Sequence, residues 1–301
     1  MNDEEVAFLS KMNKRMKRAT YISDFEGMFT CPLCHSPMKV VELKSLICSN
    51  RHTFDFTKQG AINLTTRHVK TKYTKALFEA RRKLIVKDRF FEPLTEAIAH
   101  MINHHVVGEN ETLSIIDMGC GEGSHLVNTC DKVQSSSVAG VGVDLSKEGI
   151  FVAAKHYSDQ IWVVADLATT PFKKEQFDVI LNILSPANYT EFKRLLQADG
   201  VVIKIVPQSG YLKELRETFF NEHEKRLYSN VDTVERFSDY FQVIDRSRVQ
   251  YTVTLDQQSI ESLLQMTPLT WSAKEERLKS FLEEDSVEIT VDLDVLVGKK
   301  Q

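Results

Sequence analysis

Three cysteines and a histidine fall within the 22 residues from Cys31 to His52, in a 301-residue chain that holds five cysteines in all. Their order is C-x2-C, thirteen residues, then C-x3-H, so two ligands sit on one tight turn and two on a second. Cys31, Cys34, Cys48 and His52 offer three soft thiolates and one imidazole, a closed tetrahedral set suited to structural zinc. A disulfide is disfavoured, because the cysteine count is odd and nothing at the N-terminus resembles a secretory signal. His35 lies inside the first turn, but four ligands are supplied without it.

A second constellation begins at "LSIIDMGCGEGSHL". An apolar strand, Leu113 to Ile116, runs into Asp117, then into glycines at alternate positions, Gly119, Gly121 and Gly123, and then into a helix. Glycine lets a backbone turn sharply and approach a ligand, and the following helix start offers unpaired N–H groups. The spacing is G-x-G-x-G rather than that of dinucleotide folds. Three further β runs end in polar groups. Asp144 closes "VAGVGVD", where a carboxylate can accept both hydroxyls of a ribose, with Ser146 as the competing helix cap. Asp166 closes "IWVVAD", placed to accept from an adenine amino group, and Asn182, Ser185 and Pro186 follow the fourth run. Together they point to an adenosine cofactor at one edge of a sheet.

The elements that must position these groups alternate short β runs with amphipathic helices from Leu113 onward, the pattern of a doubly wound parallel sheet. "RVQYTVTL" and "SVEITVDLDVLVG" read as an antiparallel pair at its edge, which is typical of S-adenosylmethionine (SAM) methyltransferases. The expected fold is therefore α/β, a Rossmann-like SAM-dependent methyltransferase sheet of seven strands behind an N-terminal zinc-binding module. Four segments are expected: a basic extension over 1–28, the zinc module over 29–66, a basic linker with helices over 67–110, and the methyltransferase domain over 111–301.

Charge supports a division of labour. Residues 1–90 carry 18 Lys/Arg against 9 Asp/Glu, whereas the remainder carries 20 against 33. Basic clusters in "KMNKRMKR", "TTRHVKTKYTK" and "ARRKLIVKDR" flank the zinc module, and they suggest a polyanion such as nucleic acid as partner. No apolar run is long enough to span a bilayer, so no membrane partner is expected and the cytoplasm is the expected location.

The chain resembles the RlmA-type large-subunit rRNA (guanine-N1)-methyltransferases from about residue 29 to its end. The resemblance rests on "FTCPLCHSPM", "ICSNRHTFDFTKQGAINL", "EARRKL", "FEPL", "IIDMGCGEG", "DLSK" and "LLQMTPLTW". It implies SAM and Zn2+ as cofactors and the four zinc ligands named above. It implies a SAM pocket that includes Phe91, His125, Leu126 and Tyr211, where Phe91 stands for the family's tyrosine and Tyr211 for its histidine. It also implies methylation of guanine N1 in a 23S rRNA hairpin loop near the peptide exit tunnel, RNA recognition by the zinc module, and a homodimer. Members of one branch confer resistance to certain macrolides, and "LNILSPANY" and "KYTKALFEARR" lean toward the Gram-positive sequences of that branch.

Three groups carry open readings. "NILSP" stands where amino-group methyltransferases carry Asn/Asp-Pro-Pro-aromatic, and its departure from that pattern suits a ring nitrogen; Asn182 either touches cofactor or base or simply ends the strand. Lys204, inside "VVIKIV", could offset the local acidity or meet the guanine O6, but is expected rather to snorkel to the rim. Arg81 and Arg82 have the fork geometry for phosphate or an interdomain contact, or else face water from a helix. No general base is identifiable. Two other functions compete with rRNA methylation: a small-molecule SAM methyltransferase, which would not require the basic front, and a non-catalytic RNA-binding module, which would not require an intact glycine loop.

Overall fold

The computed structural model describes residues 12–67, 71–106, 112–220, 229–271 and 273–301. Several sequence expectations lie partly outside these residues: the first eleven positions of the basic extension, 68–70 of the second basic cluster, the boundary at 110/111, and 221–228 of the helix expected after Gly210.

The front of the chain folds as a small antiparallel sheet of β1 (Met38–Val41), β2 (Ser45–Cys48) and β3 (Thr53–Asp55). The next strand, β4 (Ile62–Asn63), leaves that sheet and pairs in parallel with a strand of the main one. Five parallel strands form the centre of the main sheet: β5 (Leu113–Met118), β6 (Val138–Asp144), β7 (Gln160–Val164), β8 (Phe177–Ile183) and β9 (Leu196–Pro207). Their Val/Ile/Leu-rich sequences are buried on both faces, as a helix-covered parallel sheet requires. β10 (Phe241–Asp256) and β11 (Ser286–Lys300) pair antiparallel, with β11 inserted between β10 and β9. These are the seven expected strands. With β4 the sheet has eight, in the order β10-β11-β9-β8-β5-β6-β7-β4.

The two faces are covered differently. One carries the helices Lys75–Val86, Glu92–His105, Lys147–His156 and Gln257–Met266, whose apolar sides share a core with Trp162, Leu181 and Ile203. The other holds the helices Lys14–Asp24, Tyr189–Leu195 and Val231–Tyr240, together with the front module. Between β7 and β8 no helix forms, and residues 165–176 cross as turns. The front module fills that place. Thr30 N donates to Pro171 O at 2.9 Å, Lys173 N donates to Met28 O at 2.8 Å, and the Phe29 ring lies 5.2 Å from that of Phe172. Met38, Leu46 and Phe56 thus belong to the same core as Ile116, Val143 and Ile161 of the main sheet.

Residues 14–24 pack as an element of the body. Ala19 and Ile22 are buried, and Asn13 caps the helix by accepting from Met16 N at 3.0 Å. Arg18 is buried too. Its guanidinium donates to Ala154 O at 2.9 Å and to Tyr157 O, carbonyls at the C-terminus of the helix Lys147–His156, where the dipole favours a cation.

Candidate functional site

The four ligand atoms of Cys31, Cys34, Cys48 and His52 lie within 4.8 Å of one another. Cys31 Sγ is 3.4 Å and Cys48 Sγ 3.5 Å from His52 Nδ1, and Cys34 Sγ is 3.7 Å from Cys48 Sγ. Two turns create this convergence. In the first, His35 N donates to Cys31 O at 2.8 Å and His35 takes a φ of 57°; in the second, Arg51 N donates to Cys48 O at 2.8 Å and Arg51 takes 64°. His35 is exposed and stands outside the set. Three thiolates and an imidazole at these separations suit a tetrahedral zinc ion with no open position, which is a structural site.

The second site lies at the C-terminal ends of the parallel strands, where ligands bind in open α/β sheets. A cavity of about 1110 Å³ opens there. Of the sequence-predicted residues, Phe91, Gly119, Gly121, Asp144 and Tyr211 line it. Gly119 and Gly121 have φ of 94° and 59°, so a side chain at either would be strained. A Cβ on Gly119 would lie 2.1 Å from Ser185 Oγ, and one on Gly121 would lie 2.6 Å from Arg81 Nη1. The loop is therefore pressed between the end of β8 and the helix Lys75–Val86.

Asp144 organises the loop. Its Oδ2 accepts from Gly121 N at 2.8 Å and its Oδ1 from Ser146 N at 2.7 Å, while Ser146 caps the next helix by accepting from Gly149 N. Each carboxylate oxygen keeps a lone pair for a hydroxyl. Burial raises the Asp144 carboxyl above its ordinary range, and the two backbone donors oppose that rise.

Asp117, near the end of β5, is buried, with Oδ1 unpartnered. Burial pushes its carboxyl up to about 8; Arg81 opposes the shift, and Asp144 and Glu122 add to it. Glu122 is fully buried, and its Oε2 lies 3.4 Å from Arg81 Nε. Burial works against the Arg81 charge, yet Glu122, Asp117 and Asp144 together hold the guanidinium above its ordinary value. Arg81 and Asp144 line the cavity, whereas Glu122 and Asp117 are buried behind them.

The other predicted positions stand behind the wall. Gly123 starts the helix Ser124–Lys132 at φ 83° with the Trp162 ring against it. Leu126 is core. His125 is buried with neither ring nitrogen partnered, and its ring lies 5.1 Å from that of Phe91. Burial first, and Arg81 second, lower its pKa well below the ordinary value, so it is a neutral imidazole backing Phe91.

Two positions expected at the cofactor do not reach the cavity. Asp166 is exposed, and its Oδ1 accepts from Ala168 N at 2.9 Å, so its carboxylate holds the turn after β7 and Leu167 lines the cavity instead. Asn182 is fully buried within the end of β8, where its Nδ2 donates to Met118 O at 2.8 Å and to Pro186 O at 3.2 Å, and its Oδ1 accepts from Lys204 Nζ.

Sequence reasoning missed the parts of the wall that come from elsewhere. Leu77, Phe78 and Arg81 occupy one face of a helix expected to serve RNA. An arginine at i+3 and i+4 from two apolar residues was the available signal. Lys204 was expected at the rim; it is 4% exposed and lines the cavity.

Comparison with known proteins agrees with this picture. The family model "RlmA, N-terminal", a zinc ribbon, matches residues 29–72, and a general "Methyltransferase domain" model matches 115–200. A Bacillus subtilis (strain 168) protein named "Putative 23S rRNA (guanine-N(1)-)-methyltransferase YxjB" is 49% identical over 287 residues, covering 95% of this chain and 100% of its own. The "23S rRNA (guanine(748)-N(1))-methyltransferase" of Streptomyces fradiae is 28% identical, covering 80% and 85% of the two chains. Among solved structures, the YcgJ protein of Bacillus subtilis aligns with 68% of this chain and 98% of its own at 18% identity, with a TM-score of 0.43.

Proposed function

This chain belongs to the RlmA family of 23S rRNA (guanine-N1-)-methyltransferases, and from that premise we propose that it transfers a methyl group from SAM to N1 of one guanine in 23S rRNA. The observation that carries the reading is the cavity. Its volume exceeds the ~300–1,000 Å³ of single-ligand pockets, and it joins the glycine loop to a second region lined by Ser185, Pro186, Lys204 and Arg236, so cofactor and base have room side by side.

When bound, SAM supplies an activated methyl group, and the chain's task is to position and to manage charge. Asp144 would take the ribose hydroxyls on its remaining lone pairs. Gly119 and Gly121 would let the backbone meet the cofactor closely. Phe91 and Tyr211 would wall the site from water. The guanine N1 proton must leave during or before attack, and a base folded into RNA must first be exposed, from a loop or by flipping.

The Cys3His module holds zinc and presents the basic front to RNA. The functional division follows the sequence: an extension over 1–28, the zinc module over 29–66, a linker over 67–110 and the catalytic domain over 111–301. The resemblance supports a hairpin loop as target, a homodimer as the working form and the cytoplasm as the location. Among the described residues no helix is long and apolar enough to cross a membrane.

The test is to incubate the protein with labelled SAM and unmodified 23S rRNA and to map the methyl by reverse transcription. An N1-methyl blocks base pairing, so a single strong stop at one guanine is the expected result. Label in a different base, or SAM binding with no transfer to rRNA, refutes the proposal.

A further inference from the structure

Lys204 is a cation at a place where burial argues against one. It sits in the interior of β9, is 4% exposed, and lines the cavity beside Ser185 and Pro186. Two of its three N–H bonds go to Asn182 Oδ1 and to Ser185 O, the latter at 2.6 Å, and among the described residues no acceptor takes the third. No carboxylate offsets it. Burial alone lowers its pKa, from 10.5 to about 8. The charged groups that reach the cavity from other elements are Arg81, Asp144, Arg216, Asp232 and Arg236, and burial rather than any of these sets the direction of the shift. A charge held at such cost, on a side chain that lines a ligand space, points to use rather than to packing.

The bond to Asn182 settles what the cavity presents. The amide oxygen at the end of β8 is the acceptor that an exocyclic amino group would need. Lys204 occupies that oxygen, and the Asn182 amide hydrogens are spent on Met118 O and Pro186 O. Lys204, which lines the cavity, therefore offers a base a positively charged donor, while Asn182 behind it offers no free acceptor. Such a wall disfavours the 6-amino group of adenine and suits the 6-oxo group of guanine.

We propose that Lys204 donates its third N–H to guanine O6 and stabilises the negative charge that gathers there as N1 loses its proton. This rests on the function proposed above and adds a residue with a role to it. In the step, the N1–H bond breaks and its proton passes to water, leaving the pair on a base whose charge is shared with O6. That pair forms the bond to the methyl carbon of SAM, and the carbon–sulfur bond breaks with its electrons going to sulfur. Lys204 keeps its proton throughout. Preorganised donors aimed at developing charge act by this route.

The experiment is single-turnover methylation of 23S rRNA between pH 6 and pH 10 by the wild type, Lys204→Met and Lys204→Arg, with SAM affinity measured in parallel by calorimetry. Lys204→Met is expected to lose about 10²–10³-fold in rate at pH 7, the loss seen when one such donor is removed. Its SAM affinity should stay within a factor of three. Its rate should climb tenfold per pH unit as solvent removes the N1 proton, and Lys204→Arg should recover part of the lost rate. The wild-type rate should depend less steeply on pH and turn down above pH 8, as Lys204 itself deprotonates. Equal rates and parallel profiles for wild type and Lys204→Met overturn the proposal, as does a parallel loss of SAM affinity, which marks a merely structural lysine. A wild type that modifies no guanine N1 overturns the functional reading itself, and this proposal with it.

Discussion

Removing zinc from the Cys3His site is expected to weaken the catalytic sheet as well as the ribbon, because the two share one core. Ile116, Val141, Val143, Ile161 and Val163 of the main sheet lie in the cluster that contains Cys31, Met38, Leu46, Cys48 and Phe56. Fully burying one such side chain is worth ~1.5–3 kcal/mol, so the five together hold about 7–15 kcal/mol, comparable with the ~5–15 kcal/mol that keeps a whole domain folded. The helices on that face keep part of this burial when the module loosens. If only about 3 kcal/mol is lost, the melting temperature falls by roughly 6–12 °C, at about 2–4 °C per kcal/mol for a domain of this size. The chain has two tryptophans. Trp162 is fully buried in the catalytic core, and Trp271 is 47% exposed, so Trp271→Phe leaves a reporter that sees only the sheet. Melting of that variant should be followed by Trp162 fluorescence with and without a chelator, with released zinc titrated colorimetrically. Full zinc release with an unmoved Trp162 transition would show that the ribbon is an independent unit and that the shared core carries no such energy.

Three further outcomes can be checked in the same protein. Gly121→Ala places a methyl 2.6 Å from Arg81 Nη1 at a left-handed φ, so roughly 1–2 kcal/mol of backbone strain should lower the melting temperature by about 2–8 °C, and the loop's displacement from Arg81 should lower SAM affinity measured by calorimetry. Asp117 holds its proton to about pH 8 when folded and releases it near 3.8 when unfolded. The folded state therefore binds more protons in that window, and its stability falls as pH rises through it. Asp117→Asn should flatten this slope in urea titrations from pH 5 to 8; an unchanged slope would place the titration elsewhere. Trp271 stands 5.5 Å from Tyr73, which is also exposed and lines the cavity mouth. Trp271→Ala should raise the KM for rRNA about 5- to 150-fold, the ~1–3 kcal/mol of one base stack, and leave SAM affinity alone.

What was readable in the sequence was what short spacing determines. The zinc ligands, the glycine loop and Asp144 depend on residues a few positions apart, and the antiparallel pair of β10 and β11 announced itself through alternation. What was not readable depends on partners distant in the chain. Arg81 stayed open between a phosphate, an interdomain contact and water, because nothing local reveals that its helix lies over Glu122. Lys204 was expected to snorkel because a lysine in a strand usually has a route to water; β9 is interior, with β8 on one side and β11 on the other, and offers none. Asp166 and Asn182 occupied plausible sites at strand ends, but Asp166 turns its Oδ1 to Ala168 N, and the hydrogen-bonding capacity of the Asn182 amide is consumed by Lys204, Met118 and Pro186. The fourth strand, only two residues long, left no periodic trace.

The missing crossover helix between β7 and β8 also sets an order of events at synthesis. The segment that covers that face comes from the start of the chain, while its partners come a hundred residues or more later, as in the pairing of Ile62 with Val163 and of Phe29 with Phe172. The ribbon emerges from the ribosome first and can close around its metal by local contacts alone. Its apolar underside then waits until β7 and the turns beyond it have been made. Such long-range closure is slow and leaves sticky surface exposed in the interval. A metal bound early would hold that underside in its docking shape through the wait, so the yield of folded enzyme from a cell would track zinc supply during translation more closely than zinc supply afterward.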